Sequence, residues 1–209
     1  LSIYHHQNVE IINSSINKNF GDDGLNIKNS NVKIYNNIFS NNFADAVDLD
    51  FCKGIVKKNT FIFSDGIDSS SKDQNGDGLD LSGSYIQVEN NLFKNFLDKA
   101  SSVGENTNAI FINNLFQDNF SAITGKDSSI IYLISNKYIN NKSKIDLFRK
   151  KQLFNEPKLY NFNDELELNT INKSPLSEVF VQSDIKSKFD YDENYNLNFE
   201  KIKSFRWEK

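Results

Sequence analysis

Residues 8–140 repeat. The segments DGLNIKNSNVKIYNNIF from Asp23, DAVDLDFCKGIVKKNTF from Asp45 and DGLDLSGSYIQVENNLF from Asp77 align without gaps. KASSVGENTNAIFINNLF from Lys99 and SAITGKDSSIIYLISNKY from Ser121 are weaker copies, and NVEIINSSI from Asn8 is the end of an earlier one. An aromatic residue closes each copy, at Phe39, Phe61, Phe93, Phe116 and Tyr138, in steps of 22, 32, 23 and 22 residues. A fixed period in this range marks a stacked repeat, in which each copy is one unit that buries its apolar side with its neighbours.

Within a copy the apolar residues alternate with polar ones, the period of a strand. Leu25 and Ile27 oppose Asn26 and Lys28, and Leu79 and Leu81 oppose Asp80 and Ser82. Short strands every 22 residues with no helical stretch between them exclude a βαβ sheet. They predict an all-β solenoid of about six coils, each strand pairing in parallel with its counterpart one coil away.

The composition makes sense in that light. Asn numbers 32 of 209 residues. Asn37, Asn59, Asn91, Asn114 and Asn136 fall two residues before the closing aromatic of successive copies. Asn accepts bent backbone conformations, and its amide can bond the coils above and below. Nucleotide bias inflates Asn but does not place it in register. The formal charge of -4 and pI near 5.3 argue against a general nucleic-acid binder. No run of eighteen apolar residues is present, so no helical membrane span is expected. Cys52 is alone, which excludes an internal disulfide and a cysteine metal site. A chain that starts at Leu1 and holds 0 Met is expected to be a piece of a longer protein, cut within a repeat, with further coils before it. No signal peptide can be judged from such a piece.

The coil length and the N-N-x-F turns over residues 8–140 resemble right-handed parallel β-helix proteins of the pectate-lyase-like superfamily. More narrowly, the chain is similar to bacterial β-helix repeat proteins associated with CotH-type kinase domains. Their successive coils read D-A-x-D-x-D-F, N-D-x-x-D-x-S-G-S, D-K-x-x-S-x-G-E, S-K-D and Y-x-K-K. The counterparts here are Asp45–Phe51, Gly76–Ser84, Asp98–Glu105, Gly125–Asp127 and Phe148–Lys151. Gly125, Ser101 and Arg149 depart from that pattern. The resemblance implies a right-handed helix, a secreted or cell-surface location and association with other domains of a longer chain. It transfers no activity.

The rhythm fades near residue 152. Residues 1–151 are expected to form the coils, and 152–209, with Pro157, Pro175 and Trp207, a last irregular coil and a cap over the open end. The other reading of the tail is the start of a further module.

Stacking turns sequence period into columns about 4.8 Å apart from coil to coil. One outward column reads Asn26, Asp48, Asp80, Ser102, Thr124 and Asp146. Its neighbour reads Lys28, Asp50, Ser82, Gly104 or Glu105, Lys126, and Phe148 or Arg149. Asp48, Asp50, Asp80 and Glu105 are hard oxygen donors suited to Ca²⁺, the one cofactor considered; no organic cofactor is expected. A solvated acidic face is the plain alternative. Residues 64–80 carry five Asp, and Asp73-x-Asn75-x-Asp77-Gly78 opens like a calcium loop. Ser84 at its twelfth position excludes an EF-hand, leaving a flexible turn or a wall beside the column.

Charge changes sign along the axis, from the Asp-rich copies to Lys126, Arg149, Lys150 and Lys151. Such a face could hold an acidic polysaccharide or cell-surface glycan through Asn26, Asp48, Asp80, Glu105, Asp127 and Lys150. By resemblance to β-helix polysaccharide lyases, Lys126 is the base candidate and Arg149 its charge-stabilising partner, in a lyase or epimerase reaction on a cation-neutralised uronate. The alternatives are a surface ion ladder, a non-catalytic structural, adhesion or glycan-binding module, and a glycosidase using Asp48 with Asp80. His5, His6 and Cys52 read as an end remnant and a packing thiol, and no G-x-S-x-G elbow is present.

Overall fold

The computed structural model describes residues 1–63 and 76–181. They form an all-β parallel solenoid of about seven coils, built from three sheets that run the length of the stack. The first sheet holds Ser2–Tyr4, Leu25–Lys28, Val47–Asp50, Leu79–Ser82, Lys99–Gly104, Ser121–Lys126, Ser143–Phe148 and Ile171–Lys173. The second holds Asn8–Ile12, Asn31–Tyr35, Lys53–Lys57, Tyr85–Glu89, Asn108–Ile112, Ile130–Ile134, Lys158–Asn161 and Glu178–Phe180. The third holds Ser15–Asn17, Ile38–Ser40, Thr60–Ile62, Leu92–Lys94, Leu115–Gln117 and Lys137–Ile139. Each strand pairs in parallel with its counterpart one coil on. Among the described residues the one helical element is a single 3₁₀ turn, Leu168–Thr170.

The alternation read from the sequence sets what faces inward. Leu25, Ile27, Val47, Leu49, Leu79, Leu81, Ile123 and Ile145 are fully buried along the inner side of the first sheet. Phe39, Phe61, Phe93, Phe116 and Tyr138 stack ring on ring under the third, with centroids 5.0, 4.6, 5.0 and 5.5 Å apart. The step of 32 residues between Phe61 and Phe93 leaves this stack and the strand register undisturbed.

The corners share one design: a residue in the left-handed region, then a side chain that bonds the next coil. At the corner from second to third sheet, the left-handed residues are Asn13, Asn36, Lys58, Asn90, Asn113 and Ser135, with φ between 52° and 57°. Asn tolerates this region better than other residues with a Cβ, which is one source of the asparagine excess. The following Asn37, Asn59, Asn91, Asn114 and Asn136 form the ladder that their spacing predicts. Asn91 shows the pattern: its Oδ1 accepts the Asn59 backbone N–H at 2.8 Å and the Asn59 amide at 3.0 Å. Its Nδ2 donates to the Val56 carbonyl at 2.9 Å and to Asn114 Oδ1 at 3.0 Å. Asn42, Asn119 and Asn141 repeat the device at the corner from third to first sheet.

A third ladder at the corner from first to second sheet escaped the sequence reading. It is made of small polar side chains: Ser30, Cys52, Ser84, Thr107 and Ser129 occupy equivalent places, and three of its rungs are hydrogen bonds from a backbone N–H to the next hydroxyl. Their spacing matches that of the closing aromatics, so the signal was present, dispersed over three residue types. Cys52, fully buried, is the packing thiol expected of it.

The stack continues where the 22-residue rhythm fades. Lys158–Asn161 pairs with Ile130–Ile134, Ile171–Lys173 with Ser143–Phe148, and Glu178–Phe180 with Lys158–Asn161. Asp164 takes the next ladder place, accepting the Asn136 N–H at 2.8 Å and the Tyr138 hydroxyl at 2.7 Å. The segments 64–75 and 182–209 lie outside the described residues, and with them most of the acidic insertion and the expected cap with Trp207.

Replacing Asn91 by Ala should destabilise the protein by about 3 kcal/mol, because it strands a buried N–H and a buried carbonyl together. Asn36→Ala, at an exposed left-handed position, should cost about 1 kcal/mol. Urea unfolding of the two variants measures the difference.

Candidate functional site

The outward column of the first sheet is in register as expected. Asn26 lies beside Asp48, Asp48 beside Asp80, Asp80 beside Ser102, Ser102 beside Thr124, and Thr124 beside Asp146, with Asn172 following. The neighbouring column runs Lys28, Asp50, Ser82, Gly104, and then Lys126 beside Phe148. Gly104 and Phe148 therefore hold the two ambiguous places. Glu105 and Arg149 fall one residue beyond the strands, where the chain enters the corner.

This separates the residues proposed from the sequence. Asp48 and Asp80 are direct neighbours, each half-buried. Asp50 lies two residues along and pairs with Lys28 at 2.6 Å. Glu105, at φ 55°, pairs with Lys151. Asp127 is 1% exposed, and its Oδ1 accepts the backbone N–H groups of Lys150 and Lys151, each at 2.7 Å, so it holds the corner together. Lys150 is drawn in through its backbone and leaves its side chain outside. Arg149 lies 3.9 Å from Glu156. Lys126 has no ion pair or hydrogen bond among the described residues; its chain lies back over Gly104, with Cε 3.4 Å from where a Cβ would stand.

Beside the outward column, at the entry to the first sheet, stands a ladder of carboxylates. Asp23 Oδ1 accepts the Asp45 N–H at 3.2 Å, Asp45 Oδ1 the Asp77 N–H at 2.6 Å, and Asp77 Oδ1 the Lys99 N–H at 3.2 Å. Each carboxylate does the work of a ladder Asn but brings a charge. Burial, with Asp77 one coil away, pushes Asp45 up to about 8. Burial, with Asp50 and Asp80, pushes Asp48 to about 7. Asp77 rises to about 6 through burial, held down by Lys99. Among the described residues four buried side-chain polar atoms lack a partner, and Asn26 Oδ1, Asp80 Oδ1 and Ser102 Oγ of this column are three of them. An unsatisfied buried acceptor costs about 1–3 kcal/mol. Two open acceptors beside a crowded carboxyl fit a hard cation or a hydroxyl-rich ligand. For a cation of the Ca²⁺ type, Asp48 and Asp80 are the side chains in place; the Asn26 amide turns its Nδ2 to Asp48 Oδ2 at 2.5 Å, and Asp50 and Glu105 are held by lysines.

Apolar side chains absent from the sequence proposal flank the polar column. On one side Phe20, Phe43, Leu97 and Phe120 stand exposed at the entry to four of the first-sheet strands. On the other, Phe51 is 61% exposed at φ 53°, with its ring against Gly83. A bulky residue in the left-handed region carries about 1 kcal/mol of strain, the kind retained where a surface has a task. The signal in the sequence was an aromatic one to two residues after the corner Asn, as at Phe20, Phe43 and Phe120.

No family model matches the chain, and no curated protein matches it. Among solved structures it is similar to QnrB1, a plasmid-mediated fluoroquinolone resistance protein, with 14% identity over 86% of this chain and 91% of that one and a TM-score of 0.22. It is also similar to the catalytic domain of a GH87 α-1,3-glucanase in complex with tetrasaccharides, with 10% identity over 78% of this chain and 47% of that one and a TM-score of 0.17. At these scores neither likeness carries weight for the site. Among the described residues no helix is long and apolar enough to cross a membrane.

The carboxylate ladder makes stability depend on pH. Unfolded, these carboxyls lose their protons in the ordinary acidic range; folded, Asp45, Asp48 and Asp77 hold them to about 8, 7 and 6. The folded state therefore binds more protons in between, and stability falls as pH rises from about 4 to 8. The melting temperature should be higher at pH 5 than at pH 8.5. Asp45→Asn, which keeps the acceptor for the Asp77 N–H, should flatten that slope.

Proposed function

We propose that the protein is a polysaccharide-binding solenoid whose first-sheet face receives an acidic glycan along the Asn26–Asp48–Asp80–Ser102 column. The observation that carries this reading is the half-buried Asp48–Asp80 pair, stacked on neighbouring coils and flanked by exposed aromatic side chains. Sugars present hydroxyls to polar groups and C–H faces to rings, and a convergent polar strip between apolar walls suits both. Uronate carboxylates would be drawn to this acidic strip through a divalent cation between Asp48 and Asp80, and to Lys126 at its far end. A secreted or cell-surface setting belongs to the same proposal.

Catalysis is the second reading, and one observation favours it: Lys126 stands uncommitted beside the column. As a base it would take a proton from a bound uronate, with Arg149 on the next coil offsetting the developing charge and the cation, when bound, acidifying that proton.

Mixing the protein with alginate, pectate and glycosaminoglycans, with and without Ca²⁺, tests both readings. Retarded migration in gels containing a polymer, lost in Asp48→Asn/Asp80→Asn, supports binding; no retardation by any polymer refutes it. Ultraviolet absorbance of an unsaturated product that vanishes in Lys126→Ala supports the lyase, and full activity in both Lys126→Ala and Arg149→Ala removes these residues from the chemistry. At pH 8, Ca²⁺ should raise the melting temperature of the parent protein and not of the double Asn variant.

A further inference from the structure

The opposite end of the same face differs in chemistry. There the first sheet lines a cavity of about 530 Å³, a volume in the range of small-ligand sites. Its floor is Thr124, Asp146 and Asn172, on three successive coils. Phe120 and Phe148 bound it at the two ends of the strands, 48% and 37% exposed. Phe120 is level with Lys142 and Phe148 lies six residues further on, so about 20 Å of strand separates them, room for a short oligosaccharide.

Charge is settled within this cavity. Asp98 and Asp146 are matched by Lys99 and Lys173. Lys99 pairs with Asp77 and Asp98, and Lys173 donates to the Ser177 carbonyl at 3.1 Å. The Asp146 carboxylate receives Ser121 Oγ at 2.5 Å, Ser143 Oγ at 2.8 Å and the Asn172 amide at 2.8 Å. This network fixes the floor, and the two lysines here without a carboxylate partner among the described residues are both engaged, Lys173 by the Ser177 carbonyl and Lys142 over the Phe120 ring. Asn172 and the two Phe rings are exposed over this floor. Lys142 lies 4.3 Å over the Phe120 ring, which is 48% exposed.

We infer that this cavity is a subsite for neutral sugar residues, stacked on Phe120 and Phe148 over the Thr124–Asp146–Asn172 floor. The inference rests on the glycan-binding reading and refines it: the ligand is a heteropolysaccharide whose neutral units occupy this end while its acidic units occupy the Asp48–Asp80 end. Neutral and acidic sugars meet different halves of one face.

Titration calorimetry with neutral hexasaccharides (β-1,4-, β-1,3- and α-1,4-linked glucose) and with hexamers of galacturonate and mannuronate tests it. A neutral hexamer should bind, and Phe120→Ala and Phe148→Ala should each weaken it about tenfold, with Phe148→Tyr largely retaining it. Asp48→Asn/Asp80→Asn should leave neutral binding unchanged. Since both rings are exposed, unchanged melting temperatures will separate lost binding from lost fold. Acidic hexamers that bind while no neutral one does overturn the subsite and spare the wider proposal. Neutral binding indifferent to both Ala variants also overturns the subsite. Failure of every hexamer, together with failure of every polymer in the gel experiment, overturns both.

Discussion

The fold depends on one interaction: a side chain at a corner that bonds the backbone of the neighbouring coil. Parallel strand pairing alone tolerates sliding, because backbone groups are alike from residue to residue. A buried amide that must meet one particular N–H and one particular carbonyl does not. Asn59, Asn91 and Asn114 each accept a backbone N–H and donate to a backbone carbonyl of the preceding coil and donate to the ladder Asn of the next, so a slipped coil would strand buried polar groups on both sides. Locking three corners in this way keeps the Phe39–Tyr138 stack in contact, including across the longer step between Phe61 and Phe93.

The same locking produces the site. Once register is fixed, any residue recurring in the repeat is stacked on itself, whether or not the pairing is favourable. Stacked Phe rings gain by it; stacked carboxylates do not. The Asp23–Asp45–Asp77 ladder and the Asp48–Asp80 pair are carboxyls brought together by a scaffold too rigid to part them, and burial makes solvent a poor remedy. Their raised proton affinities and the open acceptors beside them record that conflict. Local rules are broken here while the surrounding coils obey them, which is the usual mark of a surface kept for binding. At the Thr124–Asp146–Asn172 end a single carboxylate, Asp146, is surrounded by hydroxyl and amide donors, and the conflict disappears.

How much of this was legible follows from the period. The sheet register, the inward aromatics, the main Asn ladder and the Asn26–Asp146 column could all be read by alignment, because each is one residue type or one parity repeated. Three features could not. Glu105 and Arg149 were candidates for a strand place that Gly104 and Phe148 hold, since extra residues at the corners, such as Asn106 and Ser128 with φ of 62° and 60°, absorb the slip off the strand. The hydroxyl ladder changes residue type from coil to coil. The exposed Phe row was hidden because an aromatic in an apolar repeat reads as core. Three further strand pairs continue the stack past residue 152 with longer connections, which the fixed step could not anticipate.

By itself, the sequence determined that the chain is a parallel solenoid and which residues share a column, because a 22-residue period with two-residue alternation has no other compact solution. Tertiary structure alone decided which members of a column are free to act. Asp127 is spent on two backbone N–H groups, Asp50 on Lys28 and Glu105 on Lys151, whereas Asp80 and Lys126 stand uncommitted. The partners that decide this lie 22 to 46 residues away, across coils whose contacts exist only once the stack has formed.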